Sequence, residues 1–265
     1  MSASIPAVDK DRLAATFGKA APCYDDCAIV QRHCAAELVS ILRNAKLALP
    51  EGTILELGCG TGFVTRELVN AFPDRTLEIT DLSAEMLTYC QAQISPLRHP
   101  SIYFQQLDGE MLATERQYAA IASGFVVQWF DDVERSLKRL SRALVPGGML
   151  VSSFPTSQSF PEWKQICEAV NLPFTGNPMP EVDSLCEHLS RDGLACRYQE
   201  RWMSTAHNRA IDFFKDLKSI GADMGRSPYT LSLKQFRQLM DAWDAQSLPA
   251  IRVSYHIAFL ITQRL

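Results

Sequence analysis

The densest run of residues able to do chemistry is Glu56-Leu57-Gly58-Cys59-Gly60-Thr61-Gly62. Glycines let a backbone turn sharply and let a ligand approach the main chain. A helix opening at Phe63 would add free N–H groups and the positive end of its dipole. Such a loop serves several nucleotide-binding folds. The dinucleotide fingerprint G-x-G-x-x-G/A needs a small third residue where helix packs on strand; counted from Gly58, that place holds Phe63, which disfavours a nicotinamide oxidoreductase. Asp81 follows the next strand, nineteen residues after Gly62, where a carboxylate can accept from two ribose hydroxyls. Asp108-Gly109 follows a third, where an acid can accept from an adenine amino group. Either aspartate alone could be a turn residue or a cap. Three acids at successive strand ends, with Pro146-Gly147-Gly148 before a fifth strand, point to one shared ligand.

The elements that must position these residues alternate between strand and helix, the pattern of a mostly parallel sheet covered on both faces. Strands are expected at 53–57, 77–80, 102–104, 118–122 and 149–153, with helices at 63–72, 84–93 (Ser83 as N-cap) and 132–144. Ahead of them, 12–20 reads as a short helix broken at Pro22, and Val30, Cys34, Leu38, Ile41 and Ala45 mark one face of a longer one. The last third reads differently: a helix over 181–191 stopped by Gly193, a strand over 196–203, helices at 209–220 and from Ser232, and a final strand over 251–262. Ser232 and Gln235 form a capping-box pair. The expected fold is therefore α/β, a Rossmann-like seven-stranded sheet with helices on both faces. One domain spans 1–265: an N-terminal helical lid (1–50), a cofactor-binding core (51–203), a helical insertion between strands six and seven (204–250) and the last strand (251–265).

Composition narrows the class. The 265 residues carry 26 Lys+Arg against 30 Asp+Glu, so a general nucleic-acid binder is disfavoured. No uncharged apolar run approaches the roughly 18–20 residues needed to span a bilayer, and the first ten residues lack the basic and apolar segments of a secretory signal. The eight cysteines include no C-x-x-C pair and no zinc-finger spacing, so free thiols, no metal and a cytoplasmic protein are expected.

Residues 53–153 resemble the class I S-adenosylmethionine-dependent methyltransferases. The resemblance lies in 56–62, Asp81-Leu82-Ser83 with Met86-Leu87, Asp108-Gly109-Glu110 and 144–148. It implies S-adenosylmethionine as methyl donor and S-adenosylhomocysteine as product. The implied cofactor residues are Glu56, Gly58, Cys59, Gly60 and Gly62 on the glycine loop, Asp81, Leu82 and Met86 beyond the second strand, Asp108, Gly109 and Glu110 beyond the third, and Ser123. The flanks narrow the family. Residues 17–25 with Ala28 and Gln31, then Val127-Gln128-Trp129, Leu217 to Ala222, and Tyr255-His256 are similar to the malonyl-carrier-protein O-methyltransferases of biotin synthesis. Residues 155–180 match that family poorly.

That resemblance implies methylation of the free carboxylate of a malonyl thioester, on acyl carrier protein or CoA; a monomer is expected. A carboxylate is ionised at neutral pH, so no general base is needed, and the sequence offers no obvious dyad. Tyr24 is expected over the reacting groups and, with Gln31, beside the cofactor; Gln128 and Trp129 are expected to line the acceptor pocket. Trp129 would serve equally as core packing, and His256 reads as structural. Arg32 and Lys218 could steer an anionic acyl group or sit on solvated helix faces. Residues 204–239 hold six Lys+Arg and three Asp+Glu, a local excess of +3 in a chain of net −4. Lys215, Lys218, Arg226 and Lys234 could there meet an acidic carrier protein. The rivals are a methyltransferase of a free polycarboxylic acid or quinone ring, and a cofactor-binding protein without turnover.

Overall fold

Alternating apolar runs and amphipathic helices assemble into one seven-stranded sheet. A computed structural model of the chain describes residues 7–45, 48–97, 99–246 and 249–265; residues 1–6, within the stretch read for a secretory signal, and 247–248, within the expected insertion, lie outside them. The strands are β1 (Ile54–Leu57), β2 (Leu77–Asp81), β3 (Ile102–Gln106), β4 (Tyr118–Gly124), β5 (Leu144–Pro155), β6 (Leu194–His207) and β7 (Ile251–Arg264), in the order β3-β2-β1-β4-β5-β7-β6. β1 to β5 pair in parallel; β7 pairs antiparallel with both β5 and β6. The strand order reverses direction between β1 and β4, and in open α/β sheets ligands bind beyond the carboxyl ends at that crevice.

Helices cover both faces because each carries one apolar stripe. On one face α2 (Ile29–Asn44), α3 (Phe63–Ala71) and α4 (Ala84–Ile94) bury Leu38, Leu42, Leu68 and Cys90 against Ile54, Ile79 and Ala122. On the other, α5 (Val133–Arg142) and α7 (Val182–Arg191) bury Leu137, Leu140 and Leu189 against Leu55, Ile121 and Leu150. The expected caps form: Ser83 accepts from the Met86 N–H, and Ser232 and Gln235 bond each other's backbone N–H.

Three expectations change. Pro22 does not break the first helix; α1 runs Lys10–Cys27 with Pro22 inside, and the break falls at Ala28, whose N–H bonds the Tyr24 carbonyl. An internal proline costs about 3 kcal/mol; here the ring is exposed while Leu13, Ala20 and Ala21 are buried, so packing outweighs propensity. Pro146-Gly147-Gly148 lies within β5 rather than before it, at an irregularity where pairing jumps from Tyr118↔Leu144 to Ala120↔Met149. The poorly matching stretch contains a further helix, α6 (Pro161–Ala169). It packs with α8 (Ala210–Ser219), α9 (Leu233–Gln246) and the start of β7 around Trp163, Phe213 and Trp243, a separate small core over the sheet's end.

Candidate active site

Two cavities meet beyond the carboxyl ends of β1 and β4. The smaller, about 90 Å³, is lined by Gly58 and Gly60 after β1, Asp81, Leu82 and Met86 after β2, and Asp108 and Gly109 after β3. α1 roofs it with Lys10, Leu13, Phe17 and Tyr24. The larger, about 260 Å³, lies under α6, α8 and α9 and is mostly apolar, with Gln31, Gln128, Trp129 and Phe160 among its walls. Phe17, Tyr24, Phe125 and Trp129 line both, so they form the partition at which a donor on one side would face an acceptor on the other.

The glycine loop is shaped for a ligand. Gly58 has φ +69° and Gly60 φ +52°, and a Cβ on Gly60 would meet nothing within 4 Å, leaving space a bound group can fill. Asp81 is buried, its carboxylate accepting from the Gly60 N–H at 2.9 Å and the Ser83 N–H at 2.8 Å. Burial lifts its carboxyl to about 6 even though N–H bonds from Ser83, Gly60 and Leu82 pull it down. The folded value lies above the unfolded one, near 3.9, so the ligand-free protein loses stability as pH rises from about 4 through 6. A ligand donating hydroxyls to this group binds its ionised form. Affinity for S-adenosylhomocysteine should therefore fall by up to about tenfold per pH unit below 6, and calorimetric titrations from pH 5 to 8 would read this; a flat profile would remove Asp81 from the ligand's contacts.

Several expected residues sit behind the cavity walls instead of in them. Glu56 is buried under the loop, with Oε2 accepting from the Thr65 hydroxyl at 2.7 Å and Oε1 unpartnered; burial pushes its carboxyl well up. Cys59 is buried with its thiol on the Gly60 carbonyl, Gly62 caps α3, and Ser123 is fully buried with its hydroxyl unpartnered. Glu110 accepts from Lys10 at 2.5 Å, from the Ser136 hydroxyl at 2.8 Å and from the Asp131 N–H at 3.1 Å. Burial alone would raise its carboxyl, but these bonds hold it below its ordinary value. Gln31 lines the larger cavity, not the smaller.

At the partition, the Tyr24 hydroxyl makes no hydrogen bond among the described residues. Burial, with the carboxylates of Asp81 and Asp25 nearby, pushes its phenol well up, so it stays a proton donor. Gln128 donates to the Phe125 carbonyl at 2.9 Å and leaves a buried, unpartnered Oε1. Trp129 packs edge-on to Phe17 with centroids 5.5 Å apart. Phe125 itself has φ +59°, as does Phe160 at +63°, and both line the larger cavity. Left-handed backbone at a bulky residue costs about 1–2 kcal/mol and concentrates at functional sites. Phe125 is held there by its N–H on the Ser153 carbonyl at 2.7 Å as well as by Gln128. Phe125, Phe160 and Asn177 were not singled out from the sequence. A left-handed phenylalanine leaves no mark in composition or spacing, and 155–180 lacked a motif.

The cations separate. Arg226 is turned inward, 12% exposed, donating to the Gln128 and Phe130 carbonyls at 3.3 and 3.0 Å. It does not stand with Lys215, Lys218 and Lys234, which are exposed. Arg32 stacks over Phe63 at 5.0 Å and donates to the Asp25 carbonyl. His256 is buried, bonded through Nδ1 to the Thr156 hydroxyl at 2.7 Å and tilted against the Trp202 ring with centroids 4.5 Å apart. Among the described residues no group of His, Cys, Asp and Glu is arranged to hold a metal ion, and no helix is long and apolar enough to cross a membrane.

Residues 54–148 match the methyltransferase domain family. Over 250 residues the chain is 31% identical to the malonyl-[acyl-carrier protein] O-methyltransferase of Magnetococcus marinus, spanning 94% of this chain and 90% of that protein. The chain belongs to this methyltransferase family. It is also 31% identical to the protein of the same name from Enterobacter lignolyticus, over 96% of this chain and 97% of that one. The biotin biosynthesis bifunctional protein BioCD of Bordetella avium is 34% identical over 93% of this methyltransferase, which spans 51% of that longer protein. Among solved structures, the magnesium protoporphyrin IX methyltransferase of Synechocystis PCC 6803, determined with bound SAH, superposes with a TM-score of 0.58 at 13% identity, covering 91% of this chain and 86% of that one. The seven-stranded sheet is thus the class I methyltransferase fold.

Proposed function

We propose that this methyltransferase moves the methyl group of S-adenosylmethionine to the free carboxylate of a malonyl thioester on acyl carrier protein, in the cytoplasm, as a step of biotin synthesis. The observation that carries this reading is the similarity to the Magnetococcus marinus protein along nearly the whole of both chains. All eight thiols are unpaired, which suits a reducing compartment.

The residues present fit the donor. S-adenosylmethionine supplies an electrophilic methyl group on a sulfonium. Asp81 would accept from ribose hydroxyls, Asp108 and Gly109 would hold the base, and Gly58 and Gly60 would let the main chain come close. The acceptor carboxylate is ionised at neutral pH, with a reference pKa near ~4, so no side chain has to remove a proton. Phe17, Phe125 and Trp129 exclude water at the partition, where a cationic donor and an anionic acceptor meet with little competing solvation. None of the described residues lining the larger cavity is Lys or Arg. The carboxylate is therefore met by neutral donors, the Tyr24 hydroxyl and the Gln31 amide, while Gln128 holds the Phe125 carbonyl in the wall. Holding it in line accounts for most of the rate; orientation is worth roughly 7–11 kcal/mol in favourable cases.

Incubation with methyl-labelled donor and, separately, malonyl-carrier protein, malonyl-CoA and free dicarboxylic acids tests the reading. Base-labile label on the thioesters is expected; label on free acids alone would replace it. Reversing Lys215, Lys218 and Lys234 to Glu should raise KM for the carrier-bound substrate at low ionic strength, and less at high salt. An unchanged KM would move the carrier elsewhere.

A further inference from the structure

A third cavity, about 330 Å³, opens between the segment 157–164 and the loop 227–229. It shares Phe160, Gly176, Asn177 and Met179 with the larger cavity, so the two adjoin across these residues. Its walls differ from those of the chamber it adjoins. Ser157, Ser227 and Tyr229 carry hydroxyls along it, and Lys164 brings an ammonium group. Asn177 is spent on the fold, its amide bonding Met224 and Arg226.

Lys164 is the unusual member. Its ammonium donates to the Ser157 carbonyl and lies 5.5 Å from the Phe174 ring centroid, but among the described residues it forms no ion pair. Burial lowers its pKa, with Glu181 acting against that at longer range. A partly desolvated cation held by a carbonyl and an aromatic face has unmet capacity for an anion.

We propose that this groove admits the phosphorylated thiol arm that carries the acceptor, with Lys164 and the Ser227 and Tyr229 hydroxyls receiving its phosphate while the acyl end reaches the partition. The assignment rests on the malonyl-thioester reading above. The two linings divide the work: the acyl group would take the mostly apolar larger cavity, and the charged part of its tether the groove that carries Lys164. Lys234 opens α9 shortly after Tyr229, so a carrier protein bound at that exposed lysine would stand near the same entrance.

The test compares malonyl thioesters of pantetheine, 4′-phosphopantetheine, CoA and the carrier protein, using the full-length protein and its Lys164→Met and Lys164→Arg variants. The wild type should favour the phosphorylated thioesters in kcat/KM. Lys164→Met should erase about tenfold of that preference, acting through KM, and Lys164→Arg should restore most of it. Equal use of pantetheine and phosphopantetheine thioesters by the wild type would overturn the assignment, as would a loss of the same size on both in Lys164→Met. A loss confined to CoA would keep the phosphate site and assign it to the free thioester. Failure to methylate any malonyl thioester would instead overturn the function proposed above, a result separable from the others because it needs no variant.

Discussion

Gly58→Ala should bind S-adenosylhomocysteine at least about thirtyfold more weakly than the wild type, with a lower Tm. Two costs combine. The residue sits at φ +69°, where an L side chain costs about 1–2 kcal/mol. Its Cβ would also fall 2.1 Å from Cγ2 of Val126, on the loop after β4. Both segments line the smaller cavity, so neither can retreat without moving the Gly60 N–H off Asp81 or shifting the partition at Phe125. Overpacking of this kind typically costs a further 1–3 kcal/mol. The double variant Gly58→Ala/Val126→Ala removes the collision and keeps the backbone strain, so it should recover part of the affinity. Calorimetric titration of the three proteins separates the contributions. Affinity within threefold of wild type in the single variant would show that the loop does not cradle the ligand.

Tyr24→Phe should lower kcat by about ten- to hundredfold, the range for losing a hydrogen bond to a charged group, while the Kd for S-adenosylhomocysteine moves by less than about threefold. The asymmetry is the informative part. Tyr24 faces both cavities, but a hydroxyl that donates to the acceptor carboxylate matters only once the acceptor is present. Its phenol is held protonated by burial and by Asp81 and Asp25, so the wild-type rate should not climb with pH up to about 10, the ordinary tyrosine value. A rate rising steadily through pH 8–10 would indicate a base, and an equal loss in affinity and kcat would reduce Tyr24 to a wall of the smaller cavity.

What the sequence made legible was the part governed by local rules. Glycines with positive φ, aspartates at strand ends and Ser83 as a cap leave marks within a few residues, and the carboxyl ends of β1, β2 and β3 were readable from them. Long-range packing was not. Pro22 reads as a stop because propensity is local, yet Leu13, Phe17, Ala21 and Tyr24 are anchored by distant partners that keep α1 continuous. Arg226 reads as a surface cation because it sits in a Gly-Arg-Ser-Pro stretch typical of an exposed loop; only the folded loop shows it bonded to carbonyls about a hundred residues away. Glu56 and Glu110 belong to motifs that touch the site, but their carboxylates brace it from behind. The helix over Pro161–Ala169 is short and opens on a left-handed phenylalanine, with no side-chain cap to announce it.

α1 is moored at both ends. Val8 and Lys10 bond Asp131 and Glu110 at one, and Asp25 takes the Thr61 hydroxyl at 2.5 Å and pairs with Arg66 at 3.8 Å at the other. Whatever occupies the smaller cavity touches this helix from below. Grip and occupancy are therefore reciprocal: a ligand that tightens α1 is itself held tighter by each mooring, by the same factor in both directions. The site's affinity is thus set partly by residues that never meet the ligand. Slackening one anchor shortens a molecule's stay there without removing a single contact to it.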